Sequence, residues 1–224
     1  FVVYIRAIGL VGMGVAAVLM YTAPAWVTLL SALFLKERIS GVKVGALLLA
    51  VGGCALVGRV YDLAGARLNL PGILAGLGAG LTYGLYTIFS KVAQHRYTAW
   101  ATLAYALGLG ALFMLPLQSL ADLGRALTTP SLLFWLLMLG LVPTLAGGLA
   151  FNAALRLMPA SNVSIVATLE PAIAALLGWA FLDERLELLQ LLGGGLILVG
   201  AIVLQREVVN SLERSDLTWK AGGD

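Results

Sequence analysis

Two stretches, "PAWVTLLSALFLKER" (Pro24–Arg38) and "PAIAALLGWAFLDER" (Pro171–Arg185), are copies of one motif and decide the fold. They align without a gap at an offset of 147 residues, and eight of their fifteen positions are identical. The same offset superimposes further identical residues: Ala7 on Ala154, Leu49 on Leu196 and Gly53 on Gly200. Similarity of this extent predicts that the chain contains two homologous halves.

The composition excludes an ordinary water-soluble domain. Of the 224 residues, 61% are hydrophobic and only 11% are charged, whereas soluble domains carry about 25% charged residues. The single cysteine, Cys54, and the single histidine, His95, leave no basis for a disulfide or a metal site. The basic residues are scattered, while nucleic-acid binding needs them clustered. We therefore expect an all-α polytopic membrane protein with no metal, cofactor or nucleic-acid partner.

The charged residues mark the ends of seven apolar spans. A charge in hydrocarbon costs several kcal/mol, about 2.5 to 3.5 on insertion scales, and about 20 apolar residues cross a bilayer as a helix. The predicted spans, which follow a stub ending near Ile8, are 13–35, 42–58, 70–91, 98–118, 131–155, 161–182 and 188–205. Residues 206–224 form a polar tail, which we expect in water, with disorder as one outcome.

The two copies of the motif are predicted to be inverted. Four further spans separate the span that contains Pro24 from the one that contains Pro171, so the copies cross the membrane in opposite directions. Inverted repeats are the architecture of many secondary transporters. If the second half starts near Leu70, the offset places the start of the first half about 76 residues before Phe1. We expect a parent of roughly 300 residues and ten helices.

These motifs resemble the EamA-type permeases of the drug/metabolite transporter superfamily. In that family each half resembles five helices, the fourth with Pro, small residues and Glu-Arg, and the fifth rich in glycine. The segments that carry the resemblance here are Pro24 to Arg38 with Gly45, Gly52 and Gly53, Pro171 to Arg185 with Gly193, Gly194, Gly195 and Gly200, "YGLYTIFSK" (Tyr83–Lys91) and "AFNAALRL" (Ala150–Leu157). The resemblance implies transport, commonly efflux, of small organic metabolites or drugs.

The resemblance also implies a domain organisation. Residues 1–60 would be the C-terminal part of the first EamA-type repeat, with a stub of its third helix followed by the fourth and fifth helices. Residues 70–205 would be a complete second repeat.

The basic residues predict the orientation in the membrane. Nine Lys and Arg residues fall on the side of the C-terminus and five on the other, a bias that becomes six to five without the tail. The positive-inside rule then predicts a cytoplasmic C-terminus. This agrees with the resemblance, and we expect a bacterial or archaeal cytoplasmic (inner) membrane.

Glu170 is the charged residue that falls near the middle of a predicted span. Helical geometry places it on a face with small residues, which suits close packing or a cavity wall better than lipid. One hypothesis is a substrate-binding or proton-coupling carboxylate. The alternative is a structural acid beside the break that Pro171 makes in the helix. The first-half counterpart of Glu170 is Ala23, so the repeat gives no paired acid.

The span after Leu70 carries two patterns. Gly72, Gly76, Gly80 and Gly84 form an i, i+4 ladder, which predicts close helix packing rather than a phosphate loop. A polar stripe on one face consists of Tyr83, Tyr86, Thr87 and Ser90, at spacings of i, i+3, i+4 and i+7. The stripe either lines a translocation pathway or forms hydrogen bonds that only hold the bundle together.

Other polar groups are weaker pathway candidates. Asn152 lies within the fifth apolar span, while the first-half candidates are Tyr4, Tyr21 and Trp26. The Glu-Arg pairs at 37–38 and 184–185 are predicted either to orient helix ends at the interface or to act as gate charges. No group of side chains suits covalent catalysis.

The function we predict is alternating-access transport of a small molecule, without enzymatic activity. A membrane-embedded enzyme and a non-transporting sensor or scaffold stay as alternatives. Substrate, coupling ion and choice of monomer or homodimer do not follow from the sequence, although proton coupling through Glu170 is one hypothesis.

Overall fold

The computed structural model describes residues 2–62, 69–181, 183 and 185–221, and these residues form helices joined by short connections, with no strand among them. The helices are α1 (Val2–Val11), α2 (Met13–Met20), α3 (Ala23–Phe34), α4 (Gly41–Val57), α5 (Leu70–Ala93), α6 (Ala99–Met114), α7 (Leu120–Thr128), α8 (Pro130–Leu139), α9 (Gly147–Leu157), α10 (Ala160–Ala167), α11 (Leu169–Phe181) and α12 (Leu188–Ala221). The chain divides into two compact units, residues 1–88 with 159–224, and residues 89–158.

The predicted all-α polytopic membrane fold is confirmed. Six stretches of the described chain are long and apolar enough to cross a bilayer: Met13–Phe34, Leu70–Ala93, Ala99–Leu117, Pro130–Leu157, Ala160–Phe181 and Leu188–Glu207. The predicted span 42–58 corresponds to α4, whose 17 residues rise about 26 Å, slightly less than the hydrocarbon thickness of about 30 Å. The stub predicted to end near Ile8 is helical as far as Val11.

Two spans of the first unit are each broken near the middle by a proline. Helix α2 ends at Met20, four residues before Pro24, and α10 ends at Ala167, four residues before Pro171. Proline lacks an amide hydrogen, and its ring collides with the carbonyl of the residue four positions earlier. The helical ladder therefore stops at that residue, and α3 and α11 start new helices two or three residues later.

Helices α4 and α12 pack through glycine. A Cβ on Gly53 would lie 2.5 Å from the carbonyl oxygen of Gly193, and a Cβ on Gly200 would lie 3.0 Å from the carbonyl oxygen of Ala46. Such approaches require the absence of a side chain. The 147-residue offset converts the first contact into the second, because it relates Gly53 to Gly200 and Ala46 to Gly193. Positions related by the offset thus lie on both sides of this contact.

The glycine ladder of α5 packs closely, as predicted. A Cβ on Gly72 would lie 2.3 Å from a side-chain carbon of Val11, and one on Gly76 would lie 2.6 Å from Leu19. On Gly80 it would approach the hydroxyl of Thr22 to 2.9 Å, and on Gly84 it would lie 3.1 Å from Cβ of Trp26. The ladder is therefore the contact between α5 and the segment formed by α1 to α3.

We expect Gly80→Leu to lower the yield of folded protein, because the new side chain would meet backbone carbonyl oxygens as well as Thr22. Overpacking of this kind costs typically about 1–3 kcal/mol. The measurement is the amount of monodisperse protein on size exclusion after detergent extraction, with Gly84→Leu as a second test. Gly78→Leu is the control, since its Cβ would meet only the exposed Val3, at 3.6 Å. Normal abundance with an altered substrate range would place Gly80 at the translocation pathway instead.

The second unit contains α6 to α9 and the end of α5. Helices α8 and α9 are joined through a wider π-helical segment, Gly140–Ala146, which contains Pro143, and the extra residue per turn accommodates the missing amide hydrogen. Leu103 of α6 packs on α9, where a Cβ on Gly148 would lie 2.9 Å from it. Lys91 donates to the carbonyl oxygens of Leu155 and Met158 and so caps the end of α9.

The C-terminal tail differs from one expectation. The backbone is helical through Ala221, so α12 continues beyond the predicted end of the span at residue 205. No glycine or proline occurs between Leu204 and Ala221 to stop the helix. Glu184, a member of the second Glu-Arg pair, lies outside the described residues.

Candidate substrate cavity

The first unit contains a small cavity where the two broken spans face each other. Its lining includes Met20, Tyr21, Ala23 and Pro24 from the α2–α3 break, Ser164, Ala167, Thr168 and Glu170 from the α10–α11 break, and Tyr83 from α5. Its volume of about 40 Å³ is enough for a few water molecules, each of which needs roughly 10–15 Å³ on this measure.

Three pairs of lining residues are related by the offset between the two sequence motifs. The 147-residue offset pairs Met20 with Ala167, Tyr21 with Thr168 and Ala23 with Glu170. Each pair lies at or beside a break caused by a proline. The chain at these breaks leaves the helical ladder, and non-helical backbone inside a membrane is tolerated where it lies within the protein or borders a cavity.

Glu170 is the charged residue of the cavity lining. It is the eleventh residue of the 22-residue span Ala160–Phe181 and lies in the first turn of α11. Its side chain lines the cavity and is not covered by protein. No Lys, Arg or His forms an ion pair with Glu170 within the described ranges. The N-terminal end of α11 supplies a partial positive charge that favours a carboxylate at this position.

The hydroxyl groups of the lining are oriented by their own helix. Thr168 donates to the carbonyl oxygen of Ile165 at 2.6 Å, and Ser164 donates to that of Ser161 at 2.9 Å. A hydroxyl that donates its hydrogen keeps two lone pairs on oxygen. These two side chains can therefore act toward a ligand only as acceptors while the bonds persist.

Two tyrosine side chains, Tyr21 and Tyr83, share the lining of the cavity with Glu170. The rings of Tyr83 and Tyr86 lie with centroids 6.3 Å apart and are tilted by 51°. Aromatic walls with a few placed polar groups are the usual composition of small-molecule sites.

Of the predicted pathway residues, the structure brings Tyr21, Tyr83 and Glu170 to the cavity. Tyr4 packs with the buried cluster of Ala7, Val11 and Ala16, and Trp26 contacts α5 near Gly84. The indole nitrogen of Trp26 is buried and has no hydrogen-bond partner in the part of the chain that the structure describes. The pathway role of all the candidates remains a prediction.

The polar stripe of α5 divides between the two units. Thr87 is fully buried and donates to the carbonyl oxygen of Tyr83 at 3.0 Å. Ser90 belongs to the second unit and is also buried. Asn152, in that same unit, accepts a hydrogen bond from Gln94 at 3.0 Å and donates to the carbonyl oxygen of Gly148 at 2.9 Å. Bonds of this kind hold a bundle together.

Sequence reasoning did not single out Ser164 or Thr168, although a signal for Thr168 existed. Thr168 is the offset partner of Tyr21, which was a candidate, so applying the repeat residue by residue would have found it. Ser164 has Ala17 as its counterpart and lies one turn before Thr168. No repeat-based signal indicated that serine.

Glu37 fixes the start of α10, which leads into the cavity. Its carboxylate accepts hydrogen bonds from the backbone nitrogens of Ala160 at 2.7 Å and Ser161 at 3.3 Å, and from the Ser161 hydroxyl. Lys43 lies 3.1 Å from the same hydroxyl. This is an N-terminal cap supplied from 123 residues away. The local sequence around Glu37 had indicated only an interface or gate charge.

Comparison with known proteins agrees with this architecture. A transporter of Archaeoglobus fulgidus, named as uncharacterized, is 34% identical over 204 residues, with 91% of this chain and 71% of the relative covered. The uncharacterized transporter YwfM of Bacillus subtilis is 33% identical, with 76% and 56% covered. A protein of Streptantibioticus cattleyicolor named "probable terminal-alkyne amino-acid exporter" is 27% identical, with 88% and 65% covered. The chain spans 56% to 71% of the lengths of these relatives.

Solved structures share the fold, and one of them is a crystal structure. It matches with a TM-score of 0.73 at 18% identity, and the match covers 91% of this chain and 70% of that one. The sequence itself matches the EamA-like transporter family over residues 1–59 and 70–206. The resemblance noted in the motifs is thereby confirmed, and the chain belongs to the EamA-like transporter family.

Proposed function

We propose that the protein is a secondary transporter that exports small organic metabolites or drugs by alternating access around the cavity between the two broken spans. The observation that carries the proposal is the meeting of two proline-broken helices at a cavity with a carboxylate. Broken helices at the midplane, contributed by two repeats, form the substrate sites of many secondary transporters.

The direction and orientation belong to the same proposal. The two halves are inverted repeats, with the C-terminus in the cytoplasm of a bacterial or archaeal cell. The excess of Lys and Arg on the C-terminal side supports this orientation, and the exporter name of one relative supports outward transport. The transport cycle requires no covalent chemistry.

The role proposed for Glu170 is coupling of transport to protons. Burial away from water disfavours a charged carboxylate, so closure of the cavity would favour proton uptake and reopening would favour release. A proton gained on one side of the membrane and lost on the other then drives substrate movement. The alternative is that Glu170 only stabilises the start of α11.

Two transport measurements test the export function and the role of Glu170 in proton coupling. Export by cells with and without the intact gene, across a metabolite panel, tests transport, and equal accumulation throughout would contradict it. We then expect Glu170→Gln to abolish pH-gradient-driven accumulation in proteoliposomes while exchange at saturating substrate concentration persists, since glutamine keeps the shape but cannot titrate. Asp122→Asn, on the exposed helix α7, is the control. An unchanged gradient response in Glu170→Gln would leave Glu170 with a structural role only.

A further inference from the structure

The charge of the cavity is unbalanced. Glu170 is the charged residue in the lining, and the described chain places no cationic side chain in an ion pair with it. The N-terminal end of α11 offers at most about half of a positive charge. A carboxylate without a cationic partner attracts a cation by its charge.

The two aliphatic hydroxyls and the carboxylate of the lining also favour a ligand that donates hydrogen bonds. Ser164 and Thr168 give their hydroxyl hydrogens to backbone carbonyl oxygens, so their free capacity is as acceptors. An ionised Glu170 is an acceptor only. A ligand carboxylate or phosphate would meet a like charge and could accept only from the tyrosine hydroxyls, whereas an ammonium group would find three acceptor side chains for its hydrogens.

The aromatic residues fit the same kind of ligand. Tyr21 and Tyr83 contribute to the wall beside the carboxylate, and tyrosine rings attract cations through their negative faces. Met20, Ala23, Pro24 and Ala167 make the rest of the lining apolar, and the cavity volume of about 40 Å³ matches an ammonium group rather than a whole organic amine.

We propose that the cavity recognises its substrate through a protonated amine, with Glu170 as the counter-ion and Ser164, Thr168 and the two tyrosines as its surroundings. The substrate class is therefore small organic ammonium compounds. This inference rests on the proposed transport function, and it adds the chemical group that the site selects.

Three probes of matched shape test the proposal on the full-length protein: 2-phenylethylammonium, 2-phenylethanol and 3-phenylpropanoate. Binding is measured by calorimetry in detergent at neutral pH. We expect the ammonium compound to bind at least about tenfold more tightly than the other two, since charge-assisted hydrogen bonds are roughly twice as strong as neutral ones. Glu170→Gln should weaken the ammonium compound by about tenfold or more and leave the alcohol nearly unchanged. Asp122→Asn should preserve all three affinities.

Each contrary result has a defined meaning. Equal affinity for the alcohol, tighter binding of the carboxylate, or no binding of any probe to folded wild-type protein would overturn the amine proposal. The wild-type comparison needs no variant, so it decides even if Glu170→Gln does not fold. Retained export of other compounds in the panel would then leave the transport function standing, whereas loss of all export differences would contradict the transport function itself.

Discussion

Gly53→Leu is expected to prevent the protein from folding. The Cβ alone would lie 2.5 Å from the carbonyl oxygen of Gly193 and 2.7 Å from a side-chain carbon of Ile197. Backbone of α12 cannot move aside without separating the two helices, so we expect a cost of about 3 kcal/mol or more, at the upper end of overpacking effects. The measurement is the yield of monodisperse protein after extraction in mild detergent.

The neighbouring glycine provides a matched control for this experiment. Gly52 is exposed, and a Cβ added to it would have no atom within 4 Å, so Gly52→Leu adds the same side chain to the same helix without a collision. Gly195→Leu is the equivalent control on α12. Normal yield of Gly53→Leu, or equal losses for both α4 variants, would contradict the close α4–α12 contact.

Glu37→Ala is expected to lower the melting temperature by about 5 °C or more, because it removes the cap of α10. The backbone nitrogen of Ala160 and the hydroxyl of Ser161 lie in fully or nearly fully buried residues. Each buried donor that loses its acceptor costs about 1–3 kcal/mol, and the helix N-terminus also loses a favourable negative charge. Thermal unfolding followed by light scattering or tryptophan fluorescence measures the effect.

The residues beside Glu37 distinguish capping from general charge effects. Lys36 and Arg38 are exposed, so Lys36→Ala and Arg38→Ala should leave the melting temperature nearly unchanged. Glu37→Gln keeps one carbonyl oxygen as an acceptor and should recover part of the loss. A melting temperature for Glu37→Ala equal to that of the wild type would show that the cap does not contribute to stability.

Several features of the site could be deduced from the chain alone because they depend on local chemistry. The spans follow from hydropathy, since charges are excluded from hydrocarbon. The breaks follow from Pro24 and Pro171, since proline disrupts the helical ladder wherever it occurs within a helix. Glu170 could be identified as a candidate because a charged acid in the middle of a span costs several kcal/mol of insertion free energy. Its counterpart Ala23 lines the same cavity, beside the other break.

Other features depended on which helices meet. The glycine pattern of α4 showed that a helix could approach closely, but it did not identify α12 or Gly193 as the partner. The capping of Ala160 by Glu37 joins residues 123 positions apart, and nothing in the local pattern of either residue indicates the other. Inside a membrane, lipid and protein surfaces are both apolar, so hydrophobicity does not reveal which face of a helix packs on a neighbour.

The sequence by itself determined the approximate limits of the spans, the repeated motif, the break at Pro171 and the family. Tertiary structure alone decided that the two breaks meet, that Ser164 and Thr168 join Glu170 and Tyr83 around one cavity, and that Glu37 caps α10. The first group depends on the transfer of residues into hydrocarbon and on backbone chemistry, which act on each segment separately. The second group depends on close contacts between segments distant in the chain, and these exist only after the helices have packed.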